Sequence, residues 1–179
     1  MSHSLSSLHG LVWTALLAAL IGVGAFIHFP LGPVPISLQT FFIILSGFIL
    51  GPTQGSLCVG LYLAAGVIGL PVFAGGKAGL GHLMGPTGGF LLGFVLAAMI
   101  AGLGTRGRGF SWLRTLAAGL AGFAAMYCLG LFWLKFSLGF DWPKTLAVGL
   151  LPFVPGDAIK LAAAVGFHKY LRSRGLFPQ

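Results

Sequence analysis

LVWTALLAALIGVGAFIHF, residues 11–29, carries no charged side chain. About 20 such residues are enough to cross a bilayer as a helix. Working outward, no Asp, Glu, Lys or Arg occurs anywhere from Met1 to Gly76, a stretch that can hold three spans. Lipid offers no hydrogen bonds to an open backbone, so spanning segments of this kind must be helices, and the period-two alternation of a membrane barrel is absent. No Lys or Arg precedes Leu11 and no small-residue cleavage site follows Phe29, so this segment reads as a retained first span rather than a cleaved leader.

The rest of the chain agrees. Of 179 residues, 57% are hydrophobic and 7% charged, and the mean hydropathy is +1.00. A soluble domain carries about 25% charged residues, and two acidic side chains cannot furnish a polar exterior. The net charge of +8 does not indicate nucleic acid, because the ten basic residues are scattered among apolar runs and form no phosphate-binding stripe. A bias of Lys and Arg toward cytoplasmic loops explains it more simply. Cys58 and Cys128 lie inside apolar runs, where a free thiol behaves as a small hydrophobe; neither a disulfide nor a metal site is expected.

Prolines and charges divide the sequence into apolar segments near 10–29, 37–51, 54–70, 87–104, 112–135 and 155–172, which gives an all-α membrane protein of six transmembrane helices forming a single domain over 1–179. The second segment is bounded by Pro33 and Pro35 before it and Pro52 after it, residues that disfavour helix continuation. With a cytoplasmic N-terminus, Arg106, Arg108, Arg114, Lys169, Arg172 and Arg174 fall on one side and Lys77, Lys135 and Lys144 on the other. That imbalance places both termini in the cytoplasm. Trp13, Trp112, Trp133 and Trp142 all fall near span ends, as interfacial tryptophans do. Small residues recur four apart at Ala15/Ala19, Gly47/Gly51, Gly89/Gly93, Ala98/Gly102 and Ala118/Gly122, where helix backbones can approach closely. Internal packing accounts for most of these, with Ala15/Ala19 the best candidate for a subunit contact.

Two outward connections carry the chemistry. PVFAGGKAGLGHLMGP, residues 71–86, is too rich in glycine for a helix and reads as a flexible strap presenting Phe73, Lys77 and His82; it is either a connector or a binding loop. PFVPGDAIK, residues 152–160, runs into the last span. Asp157 suits the positive end of that helix, and Lys160, three residues on, shares its face and can pair with it. Ionisable groups this close to lipid usually face a bundle interior or wet cavity, which leaves two readings: an ion pair that locks the helix, or a polar ligand site. Gln39 and Thr40 open the second span on the same side and can add hydrogen bonds to a ligand. His28 and His82 read as interfacial polar residues rather than metal ligands.

Enzyme motifs are missing. GGKAG lacks the first glycine of a phosphate loop, where Pro71 stands, and its magnesium-binding hydroxyl, where Ala78 stands. Gly79, Gly81 and Gly85 miss the dinucleotide spacing by one residue. No HExxH occurs, and an aspartyl protease would need Asp141, in the polar connection FDWPK, to meet Asp157 inside the membrane.

Taken together, VPISLQTFFIILSGFILGP, YLAAGVIGLPVFAGG, GPTGGFLLGF and PFVPGDAIK resemble, in order and spacing, the BioY proteins, biotin-specific S components of energy-coupling factor transporters, over nearly the whole chain. The resemblance implies a six-helix S-component bundle in a prokaryotic cytoplasmic membrane, with an outward biotin pocket capped by the 1–2 and 3–4 loops. By position it implies ligand contacts from Asp157 and Lys160, with Phe73, Gly75 and Gly76 of the strap beside them and Gln39, Thr40 and His82 nearby. Lys77 departs from the small, uncharged residues of that pattern. On this reading Lys160 meets the biotin carboxylate and Asp157 adds hydrogen bonds. No cofactor is implied; biotin is the transported ligand, and ATP is used by partners, a transmembrane T component and a cytoplasmic ATPase pair. Ala15 and Ala19 suit the T-component contact. Alternatives are an S component for another vitamin, or a stand-alone facilitator or channel.

Overall fold

A computed structural model describes residues 2–105 and 109–176; Arg106 and Arg108, used above for orientation, lie outside the described residues. The element order is α1 (Ser2–Phe26), β1 (His28–Phe29), β2 (Ile36–Ser37), α2 (Gln39–Val67), α3 (Leu80–Leu83), α4 (Gly88–Leu103), α5 (Trp112–Leu138), α6 (Trp142–Gly149) and α7 (Val154–Ser173). The described residues form an all-α membrane bundle decorated at one end by short connections.

Although its helical assignment is continuous, α2 is two antiparallel arms. Gln39 Nε2 donates to the Tyr62 hydroxyl at 2.6 Å, whereas 23 residues of straight helix would separate the two by about 34 Å. The reversal occurs at Gly51, whose φ of 78° and ψ of −177° are open essentially to glycine alone. A Cβ on Gly55 would lie 2.9 Å from Gly47 Cα across the hairpin. Residues 39–50 and 52–67 therefore correspond to the second and third apolar segments, and with α1, α4, α5 and α7 they make six bundle helices among the described residues.

The connections differ from expectation in three places. The first apolar segment was expected to run to residue 29, but α1 stops at Phe26; His28 and Phe29 instead pair antiparallel with Ser37 and Ile36, because Pro30, Pro33 and Pro35 cannot continue a helix. The strap, expected to hold no helix, contains the single turn α3. The polar FDWPK connection starts α6, whose N-cap Asp141 accepts from the Lys144 N–H at 3.0 Å.

The small-residue pairs mostly seal helix crossings. Gly47 lies against the Ala98 carbonyl, Gly93 against Met126, Gly102 against Gly51 and Pro52, and Gly122 against the Ala97 carbonyl. Ala15 and Ala19 face outward instead. The core runs through Ile43, Ile44, Phe48, Val59, Ala97 and Ala101, each no more than 1% exposed. The outer surface is apolar too, with Leu113 76%, Phe136 76% and Leu57 61% exposed, a surface suited to lipid and not to water. Two buried threonine hydroxyls are satisfied locally, Thr14 by the Gly10 carbonyl at 2.9 Å and Thr115 by the Ser111 carbonyl at 2.9 Å.

Candidate ligand-binding site

The N-terminal ends of α2, α4 and α7 converge beneath the β1–β2 connection and the 71–86 strap. Pro155 opens α7 and places Asp157 in its first turn. Lys160 Nζ lies 2.9 Å from Asp157 Oδ1. The same oxygen accepts from Thr40 Oγ1 of α2 at 3.0 Å, and Lys160 donates to that hydroxyl at 3.0 Å. The other carboxylate oxygen accepts a short hydrogen bond from Tyr127 of α5. Three helices are thus tied to one carboxylate, which is 4% exposed. A lone buried charge would be prohibitive here; the ion pair balances it. Of the three ammonium protons, two are directed at Asp157 and Thr40, which leaves one for a further acceptor.

Gln39 is held at both ends, its Oε1 accepting from Ser37 Oγ at 3.0 Å while its Nε2 donates to Tyr62. Tyr62 in turn meets the Phe73 ring edge-on at 5.8 Å. Phe73 is fully buried because Gly66 has no side chain: a Cβ there would overlap the ring. The strap turns back at Gly75 and Gly76, with φ of 76° and 71°, closed by Phe73 N–H to the Lys77 carbonyl at 3.0 Å and Gly76 N–H to the Phe73 carbonyl at 3.0 Å. Further pins are Gly79 N–H to the Gly66 carbonyl at 2.7 Å and Trp133 Nε1 to the Gly85 carbonyl at 2.9 Å. The strap is therefore anchored at several points, not the flexible segment its glycine content suggested.

Between these groups lies a cavity with about 560 Å³ of atom-free space counting its mouth. Its polar side is Gln39, Thr40, Tyr127, Asp157 and Lys160; Phe90, Phe94, Met126 and Phe153 supply apolar walls, and Ala74, His82 and Thr87 close it from the strap and α4. Of the residues singled out in the sequence, Asp157, Lys160, Gln39, Thr40 and His82 come together here. Phe73, Gly75 and Gly76 do not line the cavity. Phe73 points into the Gly66 notch and the two glycines form the exposed turn, so Ala74 is what that turn presents. Lys77 is exposed outside the cavity. Partial burial, with the Lys77 charge adding to it, holds the His82 imidazole below its ordinary pKa. Tyr127, Thr87 and the aromatic walls escaped sequence reasoning. A hydroxyl in the middle of the apolar run 112–138 was the one available signal for Tyr127.

The profile of the BioY family matches residues 1–175. The chain belongs to the BioY family. Among its relatives, the biotin transporter BioY of Thermotoga maritima is 47% identical over 155 residues, covering 86% of this chain and 90% of that protein. The probable biotin transporter BioY of Pyrococcus horikoshii is 45% identical over 84% of this chain and 88% of its own. The crystal structure of the S-component for biotin from an ECF-type ABC transporter superposes with a TM-score of 0.85 at 31% identity, covering 93% of this chain and 92% of that one. The BioY fold accounts for nearly all of this chain, since its unmatched remainder is shorter than a membrane span.

Proposed function

We propose that this chain is the substrate-binding membrane subunit of an energy-coupling factor biotin importer. The observation that carries the reading is the Asp157–Lys160–Thr40–Tyr127 cluster at one side of a cavity whose opposite walls are aromatic and aliphatic. It is supported by relatives whose names state biotin transport. Biotin combines a neutral urea, a thioether-containing ring and one carboxylate on an aliphatic arm. Because Asp157 already balances Lys160, a carboxylate placed beside them would leave a net negative charge in a low-dielectric site. The pair therefore favours the urea: its carbonyl accepts the remaining Lys160 proton and its N–H groups donate to free lone pairs on Asp157. This reverses the sequence-based assignment of the carboxylate to Lys160. Phe90, Phe94 and Phe153 cover the ring, with Gln39 and His82 bordering it.

The mouth faces outward and both termini face the cytoplasm in the cytoplasmic membrane of a prokaryotic cell. Arg114, Lys169, Arg172 and Arg174 lie at the end opposite the strap, as cytoplasmic basic residues do. With no complete phosphate loop and no carboxylate set for magnesium in its sequence, the chain draws its energy from ATPase partners acting through a T component. Ala15 and Ala19, small and exposed on α1, supply a close-packing surface for that component. Competition binding on the purified chain tests the ligand: unlabelled biotin displaces labelled biotin, while riboflavin and thiamine do not. Displacement by either of those, or passive flux through protein-containing liposomes without ATPases, contradicts the reading.

A further inference from the structure

Thr87 opens α4, and threonine is favoured at such a position because its hydroxyl usually accepts from the N–H of the second or third helical residue. Thr87 does not serve the helix in that way: its backbone is already helical, with φ −88° and ψ −5°, and no side-chain cap bond forms. Its Oγ1 is sealed from solvent yet has no hydrogen-bond partner, although the residue lines the cavity. The other polar side chains named on the cavity's cluster side are paired: Ser37 with Gln39, Gln39 with Tyr62, and Thr40, Tyr127 and Lys160 around Asp157. A buried hydroxyl left unmade costs free energy, so one retained at a cavity wall calls for a partner that arrives from the cavity.

We propose that the Thr87 hydroxyl donates a hydrogen bond to the ligand's carboxylate. The proposal rests on the biotin reading above and deepens it. Two features select the carboxylate over the urea. The balanced Asp157–Lys160 pair already matches the neutral polar head, on α7. Thr87 instead stands at the N-terminus of α4, a helix of 16 residues, whose positive end favours an anion. The ligand then spans from α7 to α4 across the aromatic wall, its two polar ends met by chemically different groups.

The test compares wild type, Thr87→Val and Thr87→Ser, each purified in detergent, by calorimetry with biotin and with biotin methyl ester. Thr87→Val keeps the shape, removes the hydroxyl and breaks no cap, so its melting temperature without ligand stays at or above wild type. Biotin affinity falls at least about 10-fold, the range for a hydrogen bond to a charged group. Thr87→Ser restores most of it, and the methyl ester distinguishes wild type from Thr87→Val by less than about 3-fold. Equal biotin affinity in wild type and Thr87→Val overturns the proposal, as does an equal loss for acid and ester. Should Thr87→Val not fold, a wild type that binds acid and ester alike overturns it too. A wild type that binds no biotin overturns instead the reading on which the proposal rests.

Discussion

Replacing Gly66 by alanine probes whether the strap's seat on the second arm of α2 controls the cavity. A Cβ at this position overlaps Phe73 Cζ and lies 2.8 Å from its Cε2, so the ring must retreat by more than ~1 Å to regain ordinary carbon separations of ~3.5 Å. Phe73 is fully buried and sits 5.2 Å, ring to ring, from His82, and its N–H closes the turn that presents Ala74. The retreat therefore moves the cavity's lid, and also strains the bond from Gly79 N–H to the Gly66 carbonyl. Overpacking of this sort costs about 1–3 kcal/mol. If it falls on the ligand-closed arrangement, biotin dissociation constants rise roughly 5- to 150-fold. Calorimetry and thermal unfolding of Gly66→Ala measure both effects, and Gly66→Ala/Phe73→Leu should recover part of each by making room for the new methyl group. Wild-type affinity and melting temperature in Gly66→Ala, or no recovery in the double variant, would refute the coupling of notch to cavity.

Three further outcomes are expected. Ala15→Trp/Ala19→Trp should bind biotin normally yet fail to co-purify with the T component, because bulky indoles block close helix approach; retained co-purification moves the contact elsewhere. In a Cys128→Ser background, with Cys58 buried, Lys77→Cys should react with an impermeant maleimide from outside intact cells and Arg174→Cys only after permeabilisation, and the converse pattern inverts the topology. His82 has a folded-state pKa below its ordinary value of 6.5, so its share of stability is fully present above that pH and is lost as pH falls from it toward the lowered value. Thermal unfolding between pH 7.5 and 5 should show this decline flattened in His82→Gln; identical profiles would remove His82 as its source.

Much of the fold was legible because lipid imposes one requirement, continuous apolar helices, that composition displays directly. Pro52 gave away the boundary between the second and third segments, although the reversal itself needs the positive φ of Gly51. The Asp157–Lys160 pair was legible because i, i+3 spacing fixes a shared helix face. What three-dimensional packing decides stayed hidden. The strap's glycines signalled flexibility, yet the notch left by Gly66 captures Phe73 and turns the segment into an anchored lid; residues seven apart, one in a helix and one in a loop, have no periodic signature. For the same reason Phe73 was assigned to the ligand when its ring faces the helix hairpin. Tyr127 lies 30 residues from Asp157, a pairing set by how α5 crosses α7. Thr87 was passed over in the sequence, because only the packed structure shows that its hydroxyl is unused.

The central claim is that Asp157 and Lys160 form the polar end of a biotin site, and calorimetry of the detergent-purified chain tests it most directly. Wild type should bind biotin at one site per chain. Asp157→Asn and Lys160→Ala, each still folded by thermal unfolding, should lose at least about 10-fold in affinity, as expected when a hydrogen bond involving a charged group is removed. No measurable binding by wild type, or undiminished binding by both variants, would contradict it.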